Sequence, residues 1–536
     1  MSQASIRATL AADPAVGAGN ALGALIEYGA PLNTPTLAFD TEVDGHPAWC
    51  SLTLGTLYQR VLARAAWLHG HGVRPRDPVA VYTTDAADVV LGFLALARLG
   101  AIPALVNGNL DGATAAAYIG RLDATAVLAD REHRERLAGR VPELARFDVE
   151  AVGSGRTQDA PPAYRHHADD PIAITHSSGT TGAPKPITAT HASQFAAVRY
   201  RLRRPRAQGS DRSLSALPVP HNATLSILNF SLGSASELLV LSRQDGPYTL
   251  DAIRRWRPGT VLGFPVTWAE LARMDLPPDE LDSVRLWWNV GDCAHEAHIR
   301  RLIASGRRRV ATAHGLRWTD GSVFADNFGS SELGHTVLSI RHHPGTERFG
   351  RCVGRPEPYA EAVVLGPTGE RLPPGEHGLL GVRSPSMSPG YWNDSTATYR
   401  SRLAGWVLTG DVVYQDEDGY FYHLDRSTDA VSTPDGTGLY TAVIEECVLA
   451  SCPDVLDCTA VASVHDGRPV VEVLLRLTTD ADRTADRTAA VRAVLDHGVA
   501  SALRRVVVVD DAEIPFGATG KVRKRMLRER MTGMVG

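Results

Sequence analysis

The first 130 residues alternate between short apolar runs and longer segments with helical spacing, and this alternation restricts the fold more than any other feature. The apolar runs, each the length of a buried strand, are Pro78–Tyr82, Ile102–Val106 and Ala126–Ala129. The segments with helical spacing are Leu54–His71, Ala87–Leu99 and Ala113–Leu122. Because strands that alternate with helices form parallel sheets covered on both faces, the pattern predicts an α/β fold.

The pattern changes twice further along the chain. Two strand-like runs, Ala362–Leu365 and Gly378–Val382, flank a turn rich in Gly and Pro and predict a β-barrel-like subdomain. After Arg426 a new alternation begins, with an expected helix, two strands and a charged helix: Ala442–Ala450, Cys458–Val464, Val470–Leu477 and Thr484–Leu495. We therefore expect a large N-terminal domain over residues 1–426 and a small, mobile α+β domain over residues 427–536.

Length and charge exclude several classes of protein. A chain of 536 residues exceeds a single compact core. Its 55 Lys and Arg against 60 Asp and Glu argue against a nucleic-acid binder. The six cysteines include no CxxC pair, which predicts reduced thiols. A start without a secretory signal and the lack of a run of about eighteen apolar residues predict a cytoplasmic protein that does not bind membranes.

A loop rich in small hydroxyl residues and glycine follows the strand-like run Ile172–Ile174. It reads Ser177-Ser178-Gly179-Thr180-Thr181-Gly182-Ala183-Pro184-Lys185. Small residues let backbone amides wrap an anion, hydroxyls add donors, and Lys185 adds a point charge. Two residues separate Gly182 from Lys185, whereas a Walker A motif needs them adjacent. The loop therefore predicts a phosphate site of a different kind.

This loop resembles the signature of the acyl-adenylate-forming superfamily, which includes acyl- and aryl-CoA ligases and aryl-acid adenylating enzymes. Four further matches follow in the family's order. They are the aromatic-Gly-x-x-Glu motif Asn327-Phe328-Gly329-Ser330-Ser331-Glu332, the Thr-Gly-Asp motif ending at Asp411, Arg426, and the Gly-Lys motif Pro515-Phe516-Gly517-Ala518-Thr519-Gly520-Lys521. Each motif alone is weak, but together they are specific and span almost the whole chain.

The resemblance implies ATP and Mg²⁺ as cofactors and assigns roles to these residues. Phe328 would pack on adenine within the stretch Asn327–Ser331, and Glu332 would hold Mg²⁺. Asp411 and Arg426 would bind the ribose. The loop residues Ser177–Gly182 and Lys185 would hold phosphates, with Thr180 and Lys185 also counted as catalytic. Lys521 would bridge the substrate carboxylate and the α-phosphate, because catalysis of this transfer consists mostly of positioning and charge neutralisation.

Two segments predict the substrate pocket. His221-Asn222 resembles the pair found in enzymes that activate hydroxybenzoate-type acids, which implies an aromatic acid as the substrate. Gly291-Asp292-Cys293 stands where the family has a small uncharged turn. Because an unpaired buried carboxylate is costly, Asp292 is expected to meet a donor, with the substrate as one candidate. Asp326 is expected to act in the same way, unless either carboxylate points outward or caps a helix.

A second departure from the family concerns the loop after Asp429, which swings in for thioester formation in relatives. Ser432 replaces the usual lysine, and Pro434-Asp435-Gly436 adds a turn. These changes question transfer to CoA but leave every motif for adenylation in place.

The predicted function is an ATP-dependent, AMP-forming ligase that activates a substituted benzoate- or cinnamate-like acid as its acyl-AMP, with CoA or a carrier thiol as acceptor. An alternative keeps the fold and changes the acid: an ATP-dependent diazotase of specialised metabolism, which adenylates nitrite and diazotises an amino-aryl acid. A catalytically dead module is disfavoured because Lys185, Glu332, Asp411 and Lys521 are all present. The acid, the acceptor and the oligomeric state stay open.

Overall fold

The computed structural model describes residues 2–141, 144–177, 184–206, 209, 211–277, 279–433, 438–478, 480–517 and 520–531. In chain order its strands are β1 Pro35–Phe39, β2 Leu52–Thr53, β3 Pro78–Thr83, β4 Ile102–Asn107, β5 Ala126–Ala129, β6 Ala145–Asp148, β7 Pro171–His176, β8 Pro186–Thr190, β9 Arg212–Ser215, β10 Glu237–Val240, β11 Thr260–Gly263, β12 Leu286–Asn289, β13 Arg307–Thr312, β14 Gly315–Asp320, β15 Val323–Gly329, β16 Thr336–His342, β17 Cys352–Pro356, β18 Glu361–Leu365, β19 Gly378–Arg383, β20 Arg402–Leu403, β21 Trp406–Gln415, β22 Phe421–Arg426, β23 Val431–Ser432, β24 Gly438–Leu439, β25 Val455–His465, β26 Arg468–Leu477 and β27 Leu503–Val508.

The helices are α1 Gln3–Ala12, α2 Ala21–Glu27, α3 Leu54–Gly70, α4 Ala86–Leu99, α5 Gly112–Gly120, α6 Arg131–Arg136, α7 Val149–Val152, α8 Ser193–Leu202, α9 Asn222–Ser234, α10 Gly246–Trp256, α11 Pro265–Ala272, α12 Glu296–Ile303, α13 Ser395–Arg400, α14 Thr441–Ser451, α15 Thr488–Ala493, α16 His497–Ala502 and α17 Lys524–Met531. Within the described ranges, no helix combines the length and the apolar character that a membrane crossing requires.

The predicted strand–helix alternation forms a six-stranded sheet in the order β6-β5-β3-β4-β7-β8. Its strands are parallel except β8, which runs antiparallel to β7. Helix α4 shows why the sequence folds this way locally, because the Asp85 carboxylate caps its N-terminus and Gly100 ends it at a φ of 74°. The α/β prediction is confirmed.

A second, larger sheet joins a parallel half to an antiparallel half. The parallel half has the order β15-β12-β11-β9-β10-β1, and the antiparallel half continues from β15 through β16, β17, β22, β21 and β19 to β18. The two halves meet at β15, which pairs in parallel with β12 and antiparallel with β16. This junction positions the candidate site.

The chain after Arg426 builds a smaller α+β unit, as expected. Strands β25, β26 and β27 form a three-stranded sheet, and α14 and α17 pack on β25. The expected charged helix over Thr484–Leu495 is shorter and begins at Thr488. Before it, Asp482 accepts hydrogen bonds from the backbone and hydroxyl of Thr484, which fixes a turn instead. Arg426 is the last residue of β22, and the domain boundary after it stays a prediction.

Candidate active site

Neighbouring parallel strands bring the predicted pocket segments together. Strands β12 and β15 pair with Asn289 opposite Asp326, so the turn after β12 and the end of β15 lie at the same edge of the sheet. The Asn327 amide reinforces this edge by donating to the carbonyl oxygens of Asn289 at 3.1 Å and Ala325 at 2.9 Å. Carboxyl ends of parallel strands are where α/β folds bind ligands.

The neck of the phosphate loop is closed by two hydrogen bonds between its ends. The Ser177 amide donates to the Lys185 carbonyl oxygen at 3.1 Å, and the Lys185 amide donates to Ser177 Oγ at 3.1 Å. The loop thus leaves β7 and returns into β8 at one point. The predicted phosphate-binding residues Ser178, Gly179, Thr180, Thr181 and Gly182 lie outside the described residues.

Tyr391 connects the end of this loop to the predicted metal ligand. Its hydroxyl donates to Glu332 Oε1 at 3.1 Å, and Lys185 Nζ lies 5.3 Å from the centre of its ring. Burial and the Glu332 charge raise the pKa of Tyr391, so it remains a donor at neutral pH. A cation and a carboxylate therefore flank one fixed phenol.

Asp411 and Arg426 face each other on β21 and β22 and form the predicted nucleoside end. Arg426 Nε lies 3.2 Å from Asp411 Oδ1, which also contacts His423 Nε2 at 3.1 Å. His423 Nδ1 contacts Arg351 Nη2 at 2.7 Å. Because a guanidinium only donates, Nδ1 must accept, and Nε2 carries the proton that it donates to Asp411. Phe328 packs 5.4 Å from the His423 ring.

Lys521 crosses from the C-terminal unit to the turn after β12. Its Nζ donates to the Gly291 carbonyl oxygen at 2.8 Å and lies 3.6 Å from Asp292 Oδ2. Gly291 has a φ of 93°, and a Cβ there would lie 3.0 Å from the Phe264 ring, so this position requires glycine. The structure therefore brings the C-terminal lysine to the predicted pocket.

Asp292 meets donors from the protein itself. Besides Lys521, Arg351 Nη2 lies 4.0 Å from Asp292 Oδ1. Burial alone would raise the pKa of Asp292, but the positive charges of Lys521, Arg351 and Arg426 lower it, so it stays ionised. Burial in turn lowers the pKa of Lys521, and Asp292 opposes that shift. The carboxylate and the lysine each keep the other charged.

A cavity of about 480 Å³ extends from Gly291 between β12, β15, α8 and α9. Its lining includes His221 and Asn222 as well as Asn327, Gly329 and Ser330, while the neighbouring Ser331 is buried. His221 caps α9 by accepting from the Ala223 amide at 3.2 Å, and burial with the charges of His176 and Lys521 lowers its pKa to about 3. Asn222 Nδ2 donates to the Gly334 carbonyl oxygen at 2.5 Å. The pocket wall is thus neutral at this end.

Two residues predicted for the pocket lie behind its wall. Asp326 is buried and accepts from Asn289 Nδ2 at 2.6 Å and from the Ala294 amide at 3.2 Å. Burial raises the pKa of Asp326 to about 6. The Cys293 thiol is also buried and contacts the Ala294 carbonyl oxygen at 3.5 Å. Both brace the turn that carries Gly291 and are absent from the cavity lining.

Sequence reasoning missed three residues at this site: Arg351, Tyr391 and His423. Each stands outside the short motifs and reaches the site only through strand pairing or a long loop. One signal was available, because Arg351 directly precedes the buried start of β17 and His423 lies within β22, and a buried polar group needs a partner.

Comparison with known proteins extends these observations. The model of the AMP-binding enzyme family matches residues 33–392. The chain is 41% identical to a 3-aminoavenalumate diazotase from a Streptomyces species, over 98% of this chain and 97% of that one. It is 27% identical to a 3-amino-2-hydroxy-4-methoxybenzoate diazotase from Streptomyces cremeus, over 90% of each chain. An anthranilate CoA ligase solved with anthranoyl-AMP shares the fold, with a TM-score of 0.83 and 20% identity over 98% of this chain and 100% of that one.

Proposed function

The chain belongs to the AMP-binding enzyme family and is an ATP-dependent, adenylate-forming enzyme, and from that premise we propose that it activates an aromatic carboxylic acid as its acyl adenylate. The position of Lys521 is the observation that carries this proposal. The lysine contacts Gly291, which lines a cavity together with the aromatic side chains of Phe230 and Trp288. A cation at one end of an aromatic-lined cavity suits a flat acid whose carboxylate points at the lysine.

The remaining residues fit the two ends of ATP. Asp411 presents a buried carboxylate that can accept from ribose hydroxyls, and Arg426 and His423 fix its orientation. Lys185 is exposed at the end of the phosphate loop and supplies positive charge. In the reaction a carboxylate oxygen bonds to the α-phosphorus while the bond to pyrophosphate breaks. Lys521 offsets the negative charge that accumulates as two anions approach.

The residues also fit a magnesium ion. Mg²⁺ is usually held by one or two carboxylates together with substrate phosphates and water. Glu332 offers one carboxylate, half-buried and oriented by the Tyr391 hydroxyl, and the described residues contain no cluster of three or more metal-ligating side chains. Glu332 would therefore hold the ion, and the ion would neutralise negative charge on the phosphates of ATP.

We propose that residues 427–536 act as a mobile cap over residues 1–426. Polar contacts join the two parts, including His295 Nδ1 to Glu446 Oε2 at 2.6 Å and Arg273 Nη2 to Asp457 Oδ2 at 2.6 Å. Relative motion of two parts is the default expectation where the contacts between them are polar. A cap that carries Lys521 would exclude water during transfer and let the product leave afterwards.

Pyrophosphate release with a panel of benzoates and cinnamates tests the proposed function. The purified enzyme should release pyrophosphate with at least one aromatic acid, in a reaction that requires Mg²⁺. Glu332→Gln should lose at least 100-fold in rate and shift the Mg²⁺ requirement upward. Release with none of the acids would reject the aromatic-acid proposal, and an unchanged Mg²⁺ titration in Glu332→Gln would reject that ligand.

A second candidate is a diazotase, favoured by the relative that is 41% identical over 98% of the chain. In that reaction a nitrite oxygen bonds to the α-phosphorus and pyrophosphate leaves. An arylamine nitrogen then bonds to the activated nitrogen, and AMP leaves with the bridging oxygen. The N-nitroso product takes up a proton and loses water to give the diazonium ion. The same assay with nitrite and an aminocinnamate separates the candidates, because only a diazotase needs both.

A further inference from the structure

The cavity has two chemically different ends. One end lies at Gly291 and Lys521, as described above. The other end is lined by α8 and β16, which contribute Arg201 and Arg341. In the register of β15 and β16, Arg341 pairs with Ala325, whereas the end of β15 at Gly329 pairs with Thr336. Four residues of strand, about 13 Å, separate Ala325 from Gly329, so Arg341 lies well back along β15 from its carboxyl end.

Arg201 is held by an aromatic ring and leaves hydrogen-bond donors unused. Its guanidinium lies 4.4 Å from the centre of the Trp288 ring, which also lines the cavity. Its Nε is buried and has no hydrogen-bond partner. Stacking of this kind fixes the guanidinium plane while its edge stays available. One donor of the guanidinium bonds the Tyr359 hydroxyl, and the remaining terminal N–H groups are those that a ligand in the cavity could reach.

Positive charge at this end is not balanced by the protein. No ion pair among the described residues includes Arg201 or Arg341, whereas Arg206 on the same rim pairs with Asp211 at 2.9 Å. The nearby acid Glu357 already accepts from the Ser339 hydroxyl at 2.8 Å. Desolvation and the charge of Arg201 lower the pKa of Arg341, and Glu357 opposes the shift. Two neighbouring cations thus share a single carboxylate.

We propose that Arg201 and Arg341 form an anion subsite that binds a carboxylate of the aromatic substrate, at the end of the cavity opposite Lys521. This proposal rests on the proposed function, because it uses the same cavity. The substrate is then an arene with two polar ends: a carboxylate held by the arginines and a reacting group at Lys521. The reacting group is a second carboxylate in an acyl-adenylating enzyme and an amine in a diazotase.

The test compares acids with their neutral amides as ligands. Isothermal titration in the presence of AMP, which cannot react with the acid, would use 3-aminocinnamate against 3-aminocinnamamide, and 4-carboxycinnamate against 4-carbamoylcinnamate. We expect at least one acid of these pairs to bind ten-fold or more tightly than its amide. Arg201→Gln should reduce that ratio to two-fold or less, and Arg201→Lys should keep part of it. Arg206→Gln is the matched control, since it lines the same cavity but is already paired, and it should keep the full ratio.

Each outcome decides the proposal. A ratio near one in the parent, a ratio retained in both Arg201→Gln and Arg341→Gln, or no binding of any probe would overturn the subsite. If Arg201→Gln does not fold, the ratio in Arg341→Gln carries the test. The first pair favours an amine at the reacting end and the second a carboxylate. Pyrophosphate release by the parent is measured separately. An enzyme that releases pyrophosphate but binds acid and amide equally would reject the anion subsite and leave the proposed function in place.

Discussion

Lys521 belongs to the C-terminal unit, but its side chain is held by a backbone carbonyl oxygen of the N-terminal part, that of Gly291. Lys521 also lies near Asp292, and in the proposed function its ammonium group would lie where the acid and the α-phosphate meet. Because both reactants are anions, loss of this charge should affect the transfer step far more than ATP binding.

Lys521→Ala should therefore slow adenylate formation by about 100-fold or more, with ATP affinity within a few-fold of the parent. Single-turnover formation of the adenylate measures the first quantity and equilibrium titration with ATP the second. Lys524→Ala is the comparison variant, because Lys524 Nζ contacts Glu445 within the C-terminal unit, at 2.7 Å. A transfer rate within five-fold of the parent in Lys521→Ala would contradict the assignment.

Asp292 should set the pH range in which Lys521 works. Burial lowers the pKa of Lys521 and Asp292 raises it, so removal of the carboxylate leaves the lowering effect unopposed. In Asp292→Asn the rate of adenylate formation should consequently begin to fall, on the alkaline side of the pH profile, at a lower pH than in the parent. Single-turnover rates between pH 6 and pH 10 measure this shift. Asp326→Asn, a buried carboxylate behind the same wall, should leave the alkaline side in place, and a profile unchanged in Asp292→Asn would reject the coupling.

At the scale of elements, the sequence predicted a strand or helix correctly where its own residues determine its structure. The strands β3, β4 and β5 and the helices α3 and α4 follow from apolar spacing and from caps such as Asp85. The motifs likewise singled out Lys521, Asp411 and Glu332, whose roles stay predictions. Tyr391 was missed because its contact with Glu332 spans 59 residues of sequence and no spacing rule covers it. The length of α15 was overestimated because side-chain bonds to the backbone compete with a helix there.

His191 links the end of β8 to the segment between α1 and α2, and its protonation should lower the free energy of unfolding. It follows β8, its Nδ1 accepts from the Gly19 amide at 3.2 Å, and its Nε2 lies 3.3 Å from the Ala15 carbonyl oxygen. Burial and the neighbouring His166 lower its pKa to about 4, and Asp170 opposes them. The unfolded chain takes up this proton near pH 6.5, whereas the folded chain does not until about pH 4. Folding stability is therefore lost as the pH falls through this window.

Between pH 7 and pH 5 this histidine should cost the folded state up to about 2 kcal/mol. His191→Gln should lose correspondingly less of its unfolding free energy over the same interval. Urea unfolding of both proteins at the two pH values measures the difference. An identical loss in parent and variant would show that His191 is not the titrating group.

At the scale of the whole molecule, the C-terminal unit that carries Lys521 for adenylation would also have to act in any later transfer of the acyl group to CoA. The segment after Asp429 forms the two-stranded β23–β24 pair, in which Ser432 lies opposite Gly438. Residues Pro434–Thr437, which include the added turn, lie outside the described residues. A serine in place of the usual lysine removes a positive charge from this loop, whereas the residues around Lys521 show no comparable change.

We therefore expect adenylation without efficient thioester formation. Incubation with ATP, Mg²⁺, CoA and the preferred acid, followed by mass spectrometry, should show AMP but little acyl-CoA. Ser432→Lys is the informative variant, because it restores the usual charge without touching Lys521. Rapid stoichiometric acyl-CoA from the parent would contradict the expectation, and nitrite-dependent loss of an aminocinnamate with AMP release would identify the diazotase.

The two ends of the cavity also have a consequence for the order of events. Lys521 covers the end at Gly291, whereas Arg204 and Arg341 are exposed at the other end. If the proposed substrate binds in this cavity, it would arrive past the arginines, while its adenylate would stay enclosed beneath the lysine. Entry of the aromatic molecule and retention of the adenylate would then use different ends of the cavity. The adenylate would stay bound until the second substrate reacts with it. In a pulse-chase experiment, labelled adenylate formed before the chase should pass into product without mixing with the pool in solution.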